Sequence, residues 1–257
     1  LDAAAGPRGR TPAVGAAPSA SLVHVLQALV VRFRSRGLVA LTLMVAQAFF
    51  YVAIVASHAR VLTRFNGIDE TRLGLSVFLL ALAAALGPLL LGPLFDRHGR
   101  RPMIALTCAL SALGLAATGW AFAENGLDAR RLTLCCSVVF FFASAAASAA
   151  YLTASETFPL EMRAFAIAVF HAAGIVVGSF VAPALFEMLI DSGNRSAIAA
   201  GYAIGAALML LAGLVAWRFA VAAERLALEQ VAPPLAVDEE ERRPPRAVTN
   251  KARHSSG

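Results

Sequence analysis

Six long apolar stretches constrain this chain more than any other feature of its sequence. They lie near residues 38–60, 73–95, 103–123, 132–154, 164–187 and 197–219. Each is long enough to cross the hydrocarbon core of a bilayer, which takes about 20 residues as a helix. Lipid offers no hydrogen bonds to an open backbone, so a spanning stretch of this kind must be helical. The sequence therefore predicts an all-α membrane protein with six transmembrane helices.

Composition and charge exclude several other classes. Hydrophobic residues make up 59% of the chain and charged residues 15%, against about 25% charged in soluble domains. The net charge of +6 comes from arginines in loops and tails, which is typical of membrane orientation and not of nucleic-acid binding. Cys108, Cys135 and Cys136 lie inside apolar stretches without metal-site spacing. We expect no nucleic-acid partner, no cofactor and no bound metal.

The segments around the six stretches differ from them in composition. Residues 1–20 are rich in Ala, Pro and Gly and are predicted to be disordered. Residues 21–37 are too short to span; they either lie at the membrane interface or form a tethering loop. Residues 38–220 would form the six-span bundle, and residues 221–257 a mobile cytoplasmic tail. Because the first residue is Leu and not Met, we expect a fragment or a half-length form of a longer protein.

The distribution of arginines predicts the orientation. On one side of the predicted bundle lie Arg32, Arg34, Arg36, Arg97, Arg100, Arg101, Arg163, Arg218 and Arg225. On the other side lie Arg60, Arg64, Arg72, Arg130, Arg131 and Arg195. Since the richer side is normally cytoplasmic, both termini are predicted to be cytoplasmic, and the chain to lie in the plasma (inner) membrane.

The loop between the second and third stretches carries an unusual pattern. Residues 92–101 read G-x-x-x-D-R-x-G-R-R, with Gly92, Asp96, Arg97, Gly99, Arg100 and Arg101 in these positions. A basic turn alone would account for the arginines but not for an acid and two glycines in this order. Gly92 would allow close helix approach, and Gly99 a tight turn. Asp96 could accept hydrogen bonds from arginines or from a helix N-terminus.

This pattern resembles the cytoplasmic loop motif of the major facilitator superfamily. In that family the loop holds the cytoplasmic gate shut in one of two states, which implies that Asp96 and the three arginines form and break ion pairs during transport. Residues 155–163 read S-E-x-F-P-x-E-x-R, similar to the end of the tenth span in sugar-porter-like and related proton-coupled members. The resemblance implies that this second gate cluster, which comprises Glu156, Pro159, Glu161 and Arg163, joins the charge network of Arg100 and Arg101.

The resemblance covers roughly residues 30–225 and implies the C-terminal six-helix half of such a transporter. A complete transporter would then need an N-terminal six-helix half or a second copy. Gln47 would match one hexose-contacting glutamine of sugar porters. The positions near Phe50 and Val52 depart from that pattern, which puts sugar specificity in doubt.

Polar side chains inside the apolar stretches are candidates for a solute cavity, because they are unfavourable in lipid. At 100° per residue, three side chains of the first stretch share a sector of about 40°: Gln47, Tyr51 and His58. In the fourth stretch Ser137, Ser144, Ser148, Tyr151 and Ser155 share about 60°. His171 shares a face with Gly174 and Gly178, whose spacing favours close helix packing. Helix packing would explain these side chains as well as a cavity would.

The sequence thus favours a secondary transporter that moves a small solute by alternating access with proton coupling. The solute would be an organic acid, a sugar or a similar metabolite. Two alternatives stay open: a six-span oligomeric channel or scaffold, and an inactive half-transporter. We do not expect an enzyme, because the spans carry no paired acids and no nucleophile with a base.

Overall fold

The structure, a computed structural model, describes Val31, residues 34–158 and residues 160–220, without the side chains of residues 70, 125, 156 and 160–162. The predicted disordered segment 1–20 and the predicted tail 221–257 lie outside the described residues. So does most of the predicted interfacial segment 21–37. Its last four residues belong to the first helix.

The described part of the chain is helical, without strands. Its α-helices are α1 (Arg34–Asn66), α2 (Glu70–His98), α3 (Arg100–Asn125), α4 (Ala129–Thr157), α5 (Leu160–Val176), α6 (Ala182–Asp191) and α7 (Arg195–Phe219). A π-helical turn at Val177–Val181 joins α5 to α6, and together they form the fifth span. Six helical rods are long and apolar enough to cross a membrane. The predicted fold class is confirmed.

The helices extend beyond the apolar stretches from which they were predicted. α1, for example, covers residues 34–66, whereas its apolar stretch was placed at 38–60. An apolar stretch marks what lies in hydrocarbon, but the helical hydrogen bonds continue until a cap or a turn ends them. Such caps are present on α4, where Asp128 Oδ1 accepts from Arg131 N at 2.9 Å, and on α7, where Asn194 Oδ1 accepts from Ser196 N at 2.9 Å.

Two glycines allow the tightest connections. Gly99 has a φ of +92° and is the single residue between α2 and α3, so the chain reverses there without a loop. Gly126 has a φ of +57° and ends α3. A methyl group at Gly126 would overlap the guanidinium of Arg195. Left-handed backbone is accessible to glycine at little cost, which explains the residue type at both places.

Four spans form the core and two lie outside it. In the most apolar part of each span, buried residues make up 56% of α1 and of α4, 50% of α3 and 44% of α7. The same share is 11% for α2 and 22% for the fifth span. The bundle is therefore a packed group of four helices with two peripheral ones.

Glycines bring the helices into close contact, which favours packing of apolar rods in lipid. A methyl group at Gly213 of α7 would lie 2.9 Å from Cys108 Cβ of α3. On α5 and its π-helical turn, methyl groups at Gly174 and Gly178 would lie 2.9 Å and 2.7 Å from the backbone oxygens of Met44 and Ala48 on α1. The predicted close packing at this glycine pair is confirmed.

Candidate functional site

The charged motif lies at the turn between α2 and α3, where Phe95 O accepts a hydrogen bond from Gly99 N at 3.1 Å. The close helix approach expected at Gly92 is not made within the described residues. Among the described residues nothing lies within 4 Å of a methyl group built at Gly92. The close helix approach on α2 occurs five residues earlier, at Gly87, where a methyl group would overlap the Phe141 carbonyl oxygen of α4.

Asp96 and Arg97 lie at the exposed end of α2. Neither has an ion-pair or hydrogen-bonding partner among the residues that the structure describes. The expected bond from Asp96 to an arginine or to a helix N-terminus is absent from that part of the chain. Both side chains are accessible from outside the six-helix bundle.

Two arginines of the predicted network contact backbone carbonyl groups. Arg101 Nε donates to Trp217 O near the end of α7, and the Arg101 guanidinium lies 5.7 Å from the centre of the Trp217 ring. Arg163 Nε and Nη2 both lie 3.4 Å from Phe158 O, at the end of α4. In the described residues, therefore, these two arginines satisfy helix C-termini, where carbonyl groups lack partners within the helix.

The rest of the second gate cluster cannot be placed. Pro159 and the side chains of Glu156 and Glu161 lie outside the described residues. Arg100 is half-buried.

Arg36 makes a similar contact at the end of α4. Its Nη1 atom on α1 donates to Thr157 O of α4 at 2.8 Å, so arginines bond to carbonyl groups near the ends of both α4 and α7.

The polar faces predicted on the first and fourth spans meet each other. His58 Nε2 lies 3.2 Å from Thr133 Oγ1, and the ring centre of half-buried Tyr51 lies 5.3 Å from that of Phe140 on α4. His58 is fully buried, and Ser144 is 3% exposed. His58 and Ser144 therefore lie inside the four-helix core in this conformation.

Gln47 is the exception within that buried group. It is 5% exposed, and both its Oε1 and Nε2 atoms lack a hydrogen-bonding partner in the described structure. A buried amide without partners costs free energy. A hydrogen-bonding group placed beside this amide would lower that cost.

The remaining candidate cavity residues lie on an open face. Ser148, Tyr151 and His171 are all exposed. Tyr151 Oη of α4 lies 2.8 Å from His171 Nδ1 of α5, and the two ring centres are 5.9 Å apart. The structure thus joins two residues that were singled out separately in the sequence. This hydrogen-bonded pair joins α4 to α5 on the exposed side of their contact.

Sequence reasoning missed contacts at the opposite end of the bundle. Arg60 of α1 forms an exposed ion pair with Glu187 of α6, and Asn66 Nδ2 donates to Leu127 O at 2.8 Å. Arg60 and Glu187 occur at the same end of two predicted spans, so their opposite charges were a usable signal. The Asn66 contact has a backbone acceptor and left no such signal.

The spans and the charged turn first define the class of this protein. The chain is an integral, multi-pass membrane protein whose six spans form one bundle with a charged turn at one end. The family model of the Major Facilitator Superfamily matches residues 39–254, and the chain belongs to this superfamily of transporters. No curated protein matches the chain. The predicted family is therefore confirmed, while the sugar-porter-like subtype stays a prediction.

Proposed function

We propose that this chain forms one half of a secondary transporter that moves a small solute by alternating access, coupled to protons. The solute class is that of organic acids, sugars and similar metabolites. Membership of the superfamily supports the transport function. In such transporters solute binds near the bilayer midplane between two six-helix halves, and rocking of the halves alternates access.

The open polar face of α4 and α5 is the observation that carries this proposal. Tyr151 is 42% exposed, and Ser148 and His171 are exposed beside it. Polar side chains at membrane depth face a water-filled cavity or another protein surface and not lipid. A second six-helix half placed against this face would enclose a cavity lined by these three residues.

The second half is either an N-terminal six-helix half or a second copy of this chain. The exposed faces of α2 and of the fifth span support this, because few residues of their most apolar parts are buried in this chain. Exposed Asp96 and Arg97 would then pair across the two halves and bias the equilibrium between two states. The arginine distribution supports a plasma (inner) membrane location with cytoplasmic termini.

Replacing Asp96 by Asn tests the proposal. The exchange keeps the size of the side chain and removes the charge of the gate motif. In cells producing the complete protein with whichever second half it uses, uptake of labelled organic acids, sugars and aromatic compounds would be compared with that of cells lacking the protein. We expect Asp96→Asn to lower uptake about tenfold, which corresponds to 1.4 kcal/mol in the gating equilibrium, without lowering the amount of inserted protein.

A matched control is Asp191→Asn, which removes an exposed carboxylate at the far end of α6. Uptake by this variant should stay at the original level. Normal uptake by a correctly inserted Asp96→Asn protein would contradict the gating role. Failure of the unchanged protein to move any solute of the panel would count against transport of these classes.

A further inference from the structure

We infer that Tyr151 and His171 together form a proton-binding site in this half of the transporter, an assignment that rests on the proposed function. The two residues are twenty positions apart in sequence and belong to different spans. Their side chains meet through a 2.8 Å contact between Tyr151 Oη and His171 Nδ1. A hydrogen bond of this length between a phenol and an imidazole is well within the range of a true bond.

The surroundings of the pair allow contact with water. Both side chains are exposed, Tyr151 to 42%. An ionisable group at membrane depth is unfavourable against lipid and therefore lines a cavity or an interface. The comparable pair on the buried side, His58 with Thr133, is closed to solvent, because His58 has no exposed surface. Of these two histidines, His171 is the one that protons can reach.

The geometry accommodates both protonation states without moving the rings. In the neutral state the phenol is the better donor, so Tyr151 Oη–H donates to His171 Nδ1, and the ring carries its own proton on Nε2. When a proton from cavity water binds at Nδ1, the bond reverses and Nδ1–H donates to Tyr151 Oη. The hydroxyl proton then turns towards water. The site gains one proton and one positive charge, and releasing that proton restores the first state.

In the described part of the neighbouring helices, the residues packed nearest to Tyr151 and His171 are uncharged. α1 packs on α5 through Met44 and Ala48, which carry no charge. On α4 the nearest polar side chain on the open face is Ser148, which is also uncharged. On α5 the nearest described charge is Arg163, eight residues away, and it bonds to Phe158 O. Among the described side chains, no carboxylate contacts the pair.

The position of the pair links proton binding to movement. Tyr151 belongs to a core span and His171 to a peripheral span, and their bond crosses from one to the other. A positive charge on His171 would favour hydration of the cavity and a state in which the pair faces water. Loss of the proton favours a drier, closed state. Differential stability of two such states is what couples a ligand to a conformational equilibrium.

The test measures proton binding directly and needs no identified solute. The complete protein, labelled with ¹⁵N at histidine, is placed in lipid nanodiscs and titrated while ¹⁵N resonances report ring protonation and tautomer. The His171 signal is assigned by its loss in His171→Asn. We expect the His171 ring to take up one proton as the pH is lowered, with Nε2–H as the neutral tautomer.

Two variants make the result specific. Tyr151→Phe removes the hydroxyl and keeps the ring, so the neutral His171 should change from one tautomer to a mixture. His98→Asn removes an exposed histidine at the end of α2 and should leave the His171 signal unchanged. A His171 ring that stays in one protonation form throughout the titration would overturn the assignment. A tautomer unaffected by Tyr151→Phe would overturn the role of the pair.

A second measurement separates this inference from the transport proposal. Vesicles containing the complete protein and a trapped pH-sensitive dye are exposed to the same panel of solutes. His171→Asn should abolish solute-driven proton entry while exchange of labelled solute continues. Proton entry at the original rate in that variant would contradict the inference alone. Absence of solute exchange in the unchanged protein would contradict the transport proposal, and the ¹⁵N titration would still decide whether the pair binds a proton.

Discussion

The α1–α4 contact and the α4–α5 contact each contain a histidine bonded to a hydroxyl group, yet the two contacts lie in different surroundings. His58 is completely buried and lies 3.2 Å from Thr133 Oγ1. His171 is exposed and lies 2.8 Å from Tyr151 Oη. Thr133 donates its own hydroxyl proton to Ala129 O, so it accepts a bond from His58 Nε2–H. The inner pair holds two helices together, and the outer pair is placed to exchange a proton.

The same contrast applies to whole spans. α1, α3, α4 and α7 bury about half of their most apolar residues, whereas α2 and the fifth span bury far fewer. Tight contacts of the peripheral spans are concentrated at glycines, such as Gly87 of α2 and Gly178 in the fifth span. The peripheral spans thus approach their neighbours most closely at glycines, while most residues of their apolar parts stay exposed.

The largest expected effect comes from Gly87→Ala in α2. The new methyl group would overlap the Phe141 carbonyl oxygen, and a backbone atom can move only if α2 shifts away from α4. We expect a loss of about 3 kcal/mol in the free energy of unfolding, typical of overpacking. Unfolding in mixed micelles measures it.

Gly92→Ala in the same helix is the matched control for stability. A methyl group there meets nothing within 4 Å in the described structure, and alanine favours a helix over glycine by about 1 kcal/mol. This variant should be as stable as the original protein or more so. Equal losses in both variants would show that α2 does not depend on a single close contact.

Comparison of the two histidine pairs gives an intermediate effect. Thr133→Val keeps the shape of the side chain but leaves buried His58 Nε2–H without its acceptor, and His58 Nδ1 already lacks a partner. We expect a loss of about 1.5 kcal/mol in unfolding free energy. Tyr151→Phe removes the equivalent hydroxyl on the open face, where water replaces it, and should cost less than about 0.5 kcal/mol. A larger loss in Tyr151→Phe than in Thr133→Val would reverse this comparison.

The smallest effect is expected for the ion pair that joins α1 to α6. Arg60 and Glu187 retain 48% and 59% exposure of their side chains, and exposed pairs contribute about 0.5 kcal/mol. A double-mutant cycle with Arg60→Gln and Glu187→Gln should give a coupling of that size. The coupling should fall as salt is added, because the pair is exposed. A coupling above about 2 kcal/mol would indicate a contact buried by a partner.

The spans themselves could be predicted from the sequence, but not their roles. The most apolar parts of α1 and α2 are equally apolar, yet buried residues make up 56% and 11% of them. In lipid both sides of a helix are apolar, so hydrophobic periodicity does not separate core from periphery. The contact between two helices depends on small residues at particular positions, such as Gly87. The sequence alone does not show which glycine contacts which helix.

The candidate site was predictable to a similar extent. The stripes containing Tyr51 and Tyr151 are visible from helical spacing alone, because polar side chains are rare in spans. The two stripes contact different neighbours. Tyr51 packs against Phe140 with ring centres 5.3 Å apart, whereas Tyr151 contacts His171 on another span. Spacing gives a face of a helix but not the neighbour of that face. Likewise, the bond from Arg101 to a carbonyl oxygen of α7 has a backbone acceptor, which leaves no signal in the sequence.

The one-residue connection at Gly99 has a mechanical consequence. Two Cα–Cα steps separate the end of α2 from the start of α3, a reach of about 7 Å at full extension. The end of α2, a peripheral helix, and the start of α3, a core helix, must therefore stay close together. This short connection prevents α2 from sliding along α3. If a second half displaced the far end of α2, the displacement would act on the core through the turn that carries the charged motif.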